Sequence, residues 1–363
     1  MTSKERVIAA LNRKEPDRVP TFEWIINPDV IEKITNQNYD WTDWAETNRS
    51  SMDFSSALIE FIRQMDIDGI AIGTNMNKEK VDDGYFRDEW GITRRAHDEY
   101  PTPVGCSIKS KEDLKSLKVP DPDADYRFDD IKNAMREFGD EKAIIIRLRD
   151  VFSQPRDLMG FSEVLESFYT QPELVSELME ISVEYNTQLA KIAKNLGGEI
   201  IVVGDDYANN NGTFMSPKMF REMVLPHFRK LIRNFKDLGM YVIKHTDGNI
   251  MSIIDDIIDT GIDCIDPIDP LADMDIEFIK QKYGDRVCIK GNVDCVSTLV
   301  DKSPQEVIKE TKHCILKASI GGGHIISSSN SIHAGINPVN YKVFLDAVKE
   351  YGTYPLDMEK LKI

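Results

Sequence analysis

An α/β chain closed into a (β/α)8 TIM barrel is what this sequence predicts, and three observations carry the prediction. Eight short, mostly β-branched segments recur along 363 residues, helical stretches separate most of them, and polar side chains gather where the apolar segments end. Short apolar runs of this kind are strands buried on both faces, as in parallel sheets. Strands alternating with helices in a chain of this length most simply close into a barrel. The rival architecture, a doubly wound sheet, wants a glycine-rich phosphate loop after an early strand. Gly321-Gly322-Gly323 precedes a strand instead and reads as a helix-to-strand turn.

Thr2-x-x-Glu5 is a capping-box pattern, so a short helix opens the chain. The eight strands are read at 19–25, 67–73, 143–149, 199–205, 240–245, 262–267, 286–292 and 324–328. Between them, 162–196 is helical in period and broken at Pro172, and 217–238 begins with Ser216-Pro217, an N-cap followed by a proline in the first turn. Short helices are expected at 251–260 and 274–283, and longer ones at 303–319 and 338–351. Residues 76–128 do not fit the repeat. They are read as an insert after the second strand of a single 1–363 barrel domain, a β-ribbon and loop lying over the barrel mouth. Its Tyr85, Phe86 and Trp90 either line a substrate pocket or anchor the insert to the barrel.

Composition narrows the partners. Hydrophobic residues at 41% and charged residues at 29% are those of a soluble globular protein. A net charge of −17 leaves no basic footprint for nucleic acid and argues against an anionic membrane surface. A small-molecule substrate and protein partners remain, and a homodimer is compatible with this surface. The five cysteines are odd in number and form no Cys-x-x-Cys, which suits reduced thiols in a cytoplasmic protein. No apolar run approaches the roughly 20 residues of a membrane span. The charged, amphipathic N-terminal segment lacks a secretory apolar core.

The densest chemistry lies where Met240-Tyr241-Val242-Ile243 runs into Lys244-His245-Thr246-Asp247-Gly248. His245 and Asp247 are two apart, so on a continuing strand they face the same way. In β/α proteins the C-terminal end of a strand is where ligands bind. An imidazole and a carboxylate aimed at one point hold a metal or act as an acid/base pair. The plainer alternative makes Asp247 a helix cap and His245 a hydrogen-bonded core residue. The other strand ends add Glu23 and Trp24; Arg147, Arg149 and Asp150; Asp205, Asp206 and Tyr207; Asp266 and Asp269; Asn292 and Asp294; and Ser328, Ser329, Asn330 and His333. Only one of Asp205 and Asp206 can look into the barrel, because neighbours on a strand alternate. Cys295, just past a strand tip, reads as an inert core thiol, and His324 begins a strand at the wrong end to be a ligand. Trp24, Tyr85, Phe86, Trp90 and Tyr207 can stack on an aromatic substrate.

Motifs spread along the whole chain carry a resemblance. Glu5-Arg6-Val7-x-x-Ala10-Leu11, Glu15-Pro16-Asp17-Arg18-Val19-Pro20, Asp88-Glu89-Trp90-Gly91, Gly204-Asp205-Asp206, Ser216-Pro217-x-x-Phe220-Arg221, His245-x-Asp247-Gly248, Gly291-Asn292-Val293-Asp294 and Asn337-Pro338-Val339-Asn340-Tyr341 occur in this order. Together they resemble the uroporphyrinogen decarboxylase superfamily, and within it the corrinoid-dependent methyltransferase-like branch. The resemblance implies a (β/α)8 barrel. True decarboxylases hold the acetate arms of a porphyrinogen with an arginine-containing segment after the first strand, where this chain has Trp24-Ile25-Ile26-Asn27-Pro28-Asp29. They use an aspartate after the second strand, where Ile72-Gly73-Thr74-Asn75 stands, and a histidine that matches Asn330.

In thiol-methylating members of the other branch, zinc is held by His-x-Cys and a further cysteine after the last strand. The matching positions here are His245, Asp247 and Asn330, so both thiolates are gone. The resemblance therefore implies zinc on His245, Asp247 and Asn330, with Asp206, Asp205 and His245 as catalytic groups and Glu23, Trp24, Arg147, Tyr207 and Asn330 around the substrate. A harder, oxygen-rich site suits an oxygen leaving group. The implied role is the first methyltransferase of an O-demethylase, moving a methyl group from a methoxylated, aromatic compound to the cobalamin of a separate corrinoid protein. The alternatives are a decarboxylase or other lyase of the same family, or a methyltransferase with another methyl donor.

Overall fold

Several of the polar residues just named stand where the strands of a parallel sheet end side by side. The computed structural model describes residues 1–37, 52–96 and 101–362. Seven parallel strands form the wall: β1 (Gly69–Gly73), β6 (Ala143–Arg149), β7 (Ile200–Gly204), β10 (Tyr241–His245), β11 (Cys264–Asp266), β12 (Cys288–Lys290) and β13 (His324–Ile325), in that spatial order. Helices such as Pro172–Asn195, Leu225–Asp237 and Pro338–Tyr351 connect them and cover the outside. The strands are near-continuous apolar runs because both faces are covered. Ile200, Ile201, Val202 and Val203 of β7 are all buried, each fully buried aliphatic side chain contributing roughly 1.5–3 kcal/mol.

The barrel is an α/β barrel as expected, but one strand differs. Residues 19–25 do not form a regular strand. They lie in the gap between β13 and β1 and pair with their neighbours through single bridges, Thr21 with Ile326 and Ile26 with Ile332, and not through a ladder. The amide of Ile326 donates to the Pro20 carbonyl and that of Asp68 to the Thr21 carbonyl, both at 2.9 Å. Pro20 has no amide hydrogen to continue a ladder. The segment thus takes the eighth position without the regular pairing of a strand.

The insert between β1 and β6 contains an antiparallel sheet of β2 (Lys78–Asp82), β3 (Tyr85–Asp88), β4 (Thr93–Arg95) and β5 (Thr102–Pro103). Its Trp90 packs edge-on against Tyr185 of the outer helix Pro172–Asn195, with centroids 4.9 Å apart, and Lys78 lies 4.9 Å from the Phe86 ring. Trp90 thereby anchors the insert, whereas the Phe86 contact lies within it. Arg94 joins Asp88 at 2.7 Å and Asp157 at 2.8 Å, which ties the insert to the helix following β6. Among the described residues no helix is long and apolar enough to cross a membrane.

Candidate active site

Register decides which side chains reach the barrel interior. On β10, His245 pairs with Gly204 of β7 and Asp266 of β11, and Gly204 pairs with Arg149 of β6. Residues in register on adjacent strands project to one face, so His245, Gly204, Asp266 and Arg149 share a face and Lys244, Val203 and Leu148 share the other. Lys244 lies against Phe228 of an outer helix, 5.6 Å from its ring, so the His245 face is the interior. Continuing past Gly204, Asp205 turns outward and Asp206 inward. The contacts agree: Arg156 donates to Asp205 at 3.1 Å, while Asp206 stands beside His245.

Asp206, His245 and Asp247 each offer one ligand atom, and these atoms lie within 4.8 Å of one another. His245 is buried and held from three sides. Its Nδ1 faces Asp266 Oδ2 at 2.9 Å, its Nε2 lies 3.6 Å from Asp247 Oδ1, and the Trp24 ring stacks on it at 4.3 Å and 11°. Trp24 can lie there because Gly204 has no side chain; a Cβ would sit 2.5 Å from the indole. Burial alone would lower the imidazole pKa, but the carboxylates of Asp266 and Asp247 outweigh it and raise it above the usual value. Asp266 is buried, which disfavours its charge, yet Lys290 at 2.8 Å and His245 hold it down at about 2.

Asp247 receives the amide of Asn330 on Oδ2 at 2.6 Å, and its own backbone N–H donates to Asp206 Oδ1 at 3.1 Å. Its Oδ1 is buried and has no hydrogen-bond partner among the described residues. Buried polar atoms are rarely left so. Burial, together with Asp206 and Asp266, pushes the Asp247 carboxyl up to about 7. A buried, unpartnered carboxylate oxygen facing an imidazole nitrogen and a second carboxylate fits a divalent cation, and the Asp266–His245 contact is the outer carboxylate that metal-bound histidines usually carry. Gly248 closes the motif for a backbone reason. It has φ +83°, and a Cβ there would lie 2.7 Å from the Asn209 carbonyl oxygen of β8 (Ala208–Asn209), which pairs with β9 (Gly212–Thr213) in a short hairpin after β7.

The expected residues separate on this geometry. Asp206, His245 and Asp247 come together. Asn330 joins them as a donor to Asp247, and its side-chain oxygen accepts from the Ser331 amide at 2.6 Å. Asp205 is turned away from the cluster, and burial pushes its carboxyl up to about 7 despite Arg156. Tyr207 is not in the mouth either. It is fully buried among Phe152, Phe220 and Phe228, and its hydroxyl donates to Asp150 at 2.7 Å. Trp24 reaches the site with its face on His245, and the Arg147 guanidinium lies 5.5 Å from the Trp24 ring.

Glu23 is buried beside Ser328, whose hydroxyl oxygen is 2.7 Å from Glu23 Oε2 and 2.5 Å from the Asn330 carbonyl. The Ser328 amide also donates to the Glu23 carboxyl, at 3.2 Å to Oε2. Burial pushes the Glu23 carboxyl up to about 7, against the pull of Lys290 and Ser328.

No thiol joins the cluster among the described residues. Cys295 is buried against Ser329, and burial pushes its thiol up to about 11. His324 is fully enclosed between Ser319 and the Gly291 carbonyl, and burial lowers it to about 3. The residues that sequence reasoning left out of the site are Lys290 and Asp266 in its orienting role. The available signal was a lysine inside the apolar run Val287-Cys288-Ile289-Lys290, since a lysine in a buried strand needs a partner.

Residues 2–351 match the family described as Uroporphyrinogen decarboxylase (URO-D). A uroporphyrinogen decarboxylase from Psychromonas ingrahamii is 26% identical over 267 residues, which cover 68% of this chain and 70% of that protein. A methylated-thiol–coenzyme M methyltransferase from Methanosarcina mazei is 23% identical over 207 residues, covering 57% of this chain and 53% of that protein. Among solved structures, a methyltransferase from Methanosarcina mazei has the same fold, with a TM-score of 0.77 at 16% identity over 97% of this chain and 99% of that one. The resemblance carried by the motifs is thus borne out over nearly the whole length, and the chain belongs to the uroporphyrinogen decarboxylase family.

Proposed function

We propose that this chain is the donor-side methyltransferase of an O-demethylase. It takes a methyl group from a methoxylated aromatic compound and passes it to the cobalamin of a separate corrinoid protein. The observation that carries the reading is the Asp206–His245–Asp247 cluster, oxygen-rich and without a thiol, with the buried Asp247 Oδ1 inside it accepting no hydrogen bond from the described residues. The methyltransferase relatives support the reaction class, and the donor set supports an oxygen leaving group.

His245 through Nε2, with Asp206 and Asp247 through carboxylate oxygens, would hold a divalent ion such as zinc. Zinc bound there supplies a Lewis acid for the ether oxygen, whose negative charge grows as the O–CH3 bond breaks. The chain's own residues prepare that position. Asp266 engages Nδ1 of His245 and so directs Nε2 to the cluster, and Asn330 engages one oxygen of Asp247 and so directs the other. Asp247, its carboxyl pushed up to about 7, takes up a proton as the pH falls through neutrality and is placed to give it to the departing alkoxide or phenoxide. Trp24, Arg147 and Glu23 form the wall beside which the donor is placed.

The test is methyl transfer from a panel of methoxyarenes to a reduced corrinoid partner, followed by the absorbance of methylcobalamin. Activity lost by at least about 100-fold in His245→Ala is the expected result. No methylcobalamin across the panel, with a partner that accepts methyl groups from another enzyme, sinks the reading. A second reading, decarboxylation of a polycarboxylate, is favoured by the 26% identical decarboxylase. It is opposed by the absence of arginine from segment 24–29. Loss of carboxylate from uroporphyrinogen on incubation with the protein would establish it.

A further inference from the structure

Behind the Asp206–His245–Asp247 cluster, on the outward face of the same strands, lies a second set of buried charged groups. Lys244 precedes His245 on β10 and is fully buried. Its ammonium donates to Asp150 Oδ2 at 2.6 Å and to the Asp205 carbonyl at 2.9 Å. That carbonyl belongs to the peptide whose nitrogen is that of Asp206. Asp150 accepts a further bond from the Tyr207 hydroxyl at 2.7 Å, and the ammonium lies 4.2 Å from the Tyr207 ring. Taking an ammonium out of water costs several kcal/mol, and a well-packed apolar residue is often at least as stable in its place. Packing alone therefore does not account for a lysine here.

What the lysine does is grip the chain where the ladder ends. Strand β7 stops at Gly204, and beyond it the amide of Asp205 reaches the His245 carbonyl only at 3.3 Å. Two further ties cross this gap, Tyr207 N–H to the Thr246 hydroxyl and Asp247 N–H to Asp206 Oδ1, both at 3.1 Å. Lys244 adds the bond on the other side of the Asp206 peptide. Alternation along two strands thus gives each a double use: His245 and Asp206 face the cluster, and Lys244 and Asp205 lock the backbone behind it.

We propose that Lys244 is a positioning residue for the candidate metal site, fixing the Asp206 carboxylate against His245 and Asp247 by holding the Asp205–Asp206 peptide. This rests on the reading of that cluster as a metal site. Cobalt(II) is the probe, titrated into the metal-stripped full-length protein and followed by its visible absorption, with circular dichroism and thermal melting as controls. Lys244→Met leaves Asp150 buried without its ammonium partner, so it is paired with Lys244→Met/Asp150→Asn, in which both ionisable groups are replaced. The double variant is expected to fold like the wild type but to bind cobalt about 10- to 100-fold more weakly, with an altered absorption band. Tyr207→Phe removes a bond to the same Asp150 oxygen without touching the Asp205 carbonyl. It is expected to lower the melting temperature and leave the cobalt affinity and band as in the wild type.

Wild-type affinity and band in the double variant, alongside their loss in His245→Ala, would overturn the role of Lys244 and leave the metal site standing. An equal loss of cobalt in Tyr207→Phe would also overturn it, since any loosening of the buried cluster would then suffice. A wild-type protein that takes up no cobalt overturns the metal reading, and this proposal with it.

Discussion

Asp266 determines which nitrogen of His245 looks into the cluster. Its carboxylate, held by Lys290, favours a proton on Nδ1 and leaves the Nε2 lone pair for a ligand. Asp266→Asn is expected to weaken zinc binding about 10- to 100-fold, as measured against a chromophoric chelator. Unchanged affinity would mean that the ring is oriented by the Trp24 stack instead. Glu23 gives a separate prediction. Its folded-state pKa, about 7, lies above the ordinary 4.5, so the carboxyl favours the folded state when protonated. That contribution is complete below the ordinary value and is lost as the pH rises through about 7. The full difference is on the order of 3 kcal/mol. Glu23→Gln, which stays neutral, is expected to flatten the decline in melting temperature between about pH 5 and 8; an unaltered slope would assign the decline to other groups. At this scale the sequence was readable where spacing speaks. His245 and Asp247 are two apart, and one of Asp205 and Asp206 had to face inward. The partnerships of Asp266 and Lys290 were not readable, because they depend on the pairing of different strands, which no local pattern encodes. Tyr207 misled for a related reason: past the end of β7 its side chain continues the outward alternation of Asp205, into the layer between wall and helices.

At the scale of elements, the helices were legible because their signals are local. The box at Thr2 and Glu5 and the Ser216-Pro217 start both appear as read. Helix 338–351 begins and ends where its periodicity does. Strand 143–149 is found as read, but other strands were legible as apolar runs and read too long, since a run continues into the loops that bury its ends: 286–292 contains only Cys288–Lys290 as strand. Apolar content also promoted 19–25 to a strand, although Pro20 breaks its hydrogen bonding. Gly204 shows what pattern alone misses. It looks like an ordinary strand end, yet its missing side chain is the space in which Trp24 reaches His245. Gly204→Ala would place a methyl group 2.5 Å from the indole. Overpacking of this kind costs about 1–3 kcal/mol, and relief by moving Trp24 would unstack the imidazole. The expected result is a modest loss of melting temperature with a disproportionate loss of methyl transfer. A crystal structure of the variant with Trp24 unmoved would refute the argument.

The whole barrel has a seam, and it lies where the wall is closed by segment 19–26 instead of a strand. The ladder from β1 through β13 is continuous, but from β13 back to β1 the backbone offers only separate bonds: Ile326 to Pro20 and Asp68 to Thr21 at 2.9 Å, with Ile332 to Ile25 at 2.9 Å and Asn27 to Ile332 at 2.8 Å further up. Side chains reinforce the gap. Asp68, fully buried, accepts from the Thr21 amide at 3.0 Å and from Arg18 at 3.2 Å, and pairs with Arg6 of the first helix. The motif residues Arg6 and Arg18 therefore act far from the chemistry, as clasps on the closing segment. This matters to function because the same segment carries Glu23 and Trp24 into the mouth. Removing one partner of a buried ion pair costs about 3–5 kcal/mol, so Asp68→Ala is expected to destabilise the protein by roughly that amount. The loss should be local first. In hydrogen exchange followed by mass spectrometry, peptides spanning Ile326 and residues 19–27 should lose protection well before those of β6 and β7, where pairing is continuous on both sides. Equal loss of protection across all strands would mean that the barrel opens as one unit and that the clasp serves global stability alone. If the seam opens alone, Trp24 leaves His245 with it, and methyl transfer should fall in Asp68→Ala at temperatures where the rest of the wall remains folded.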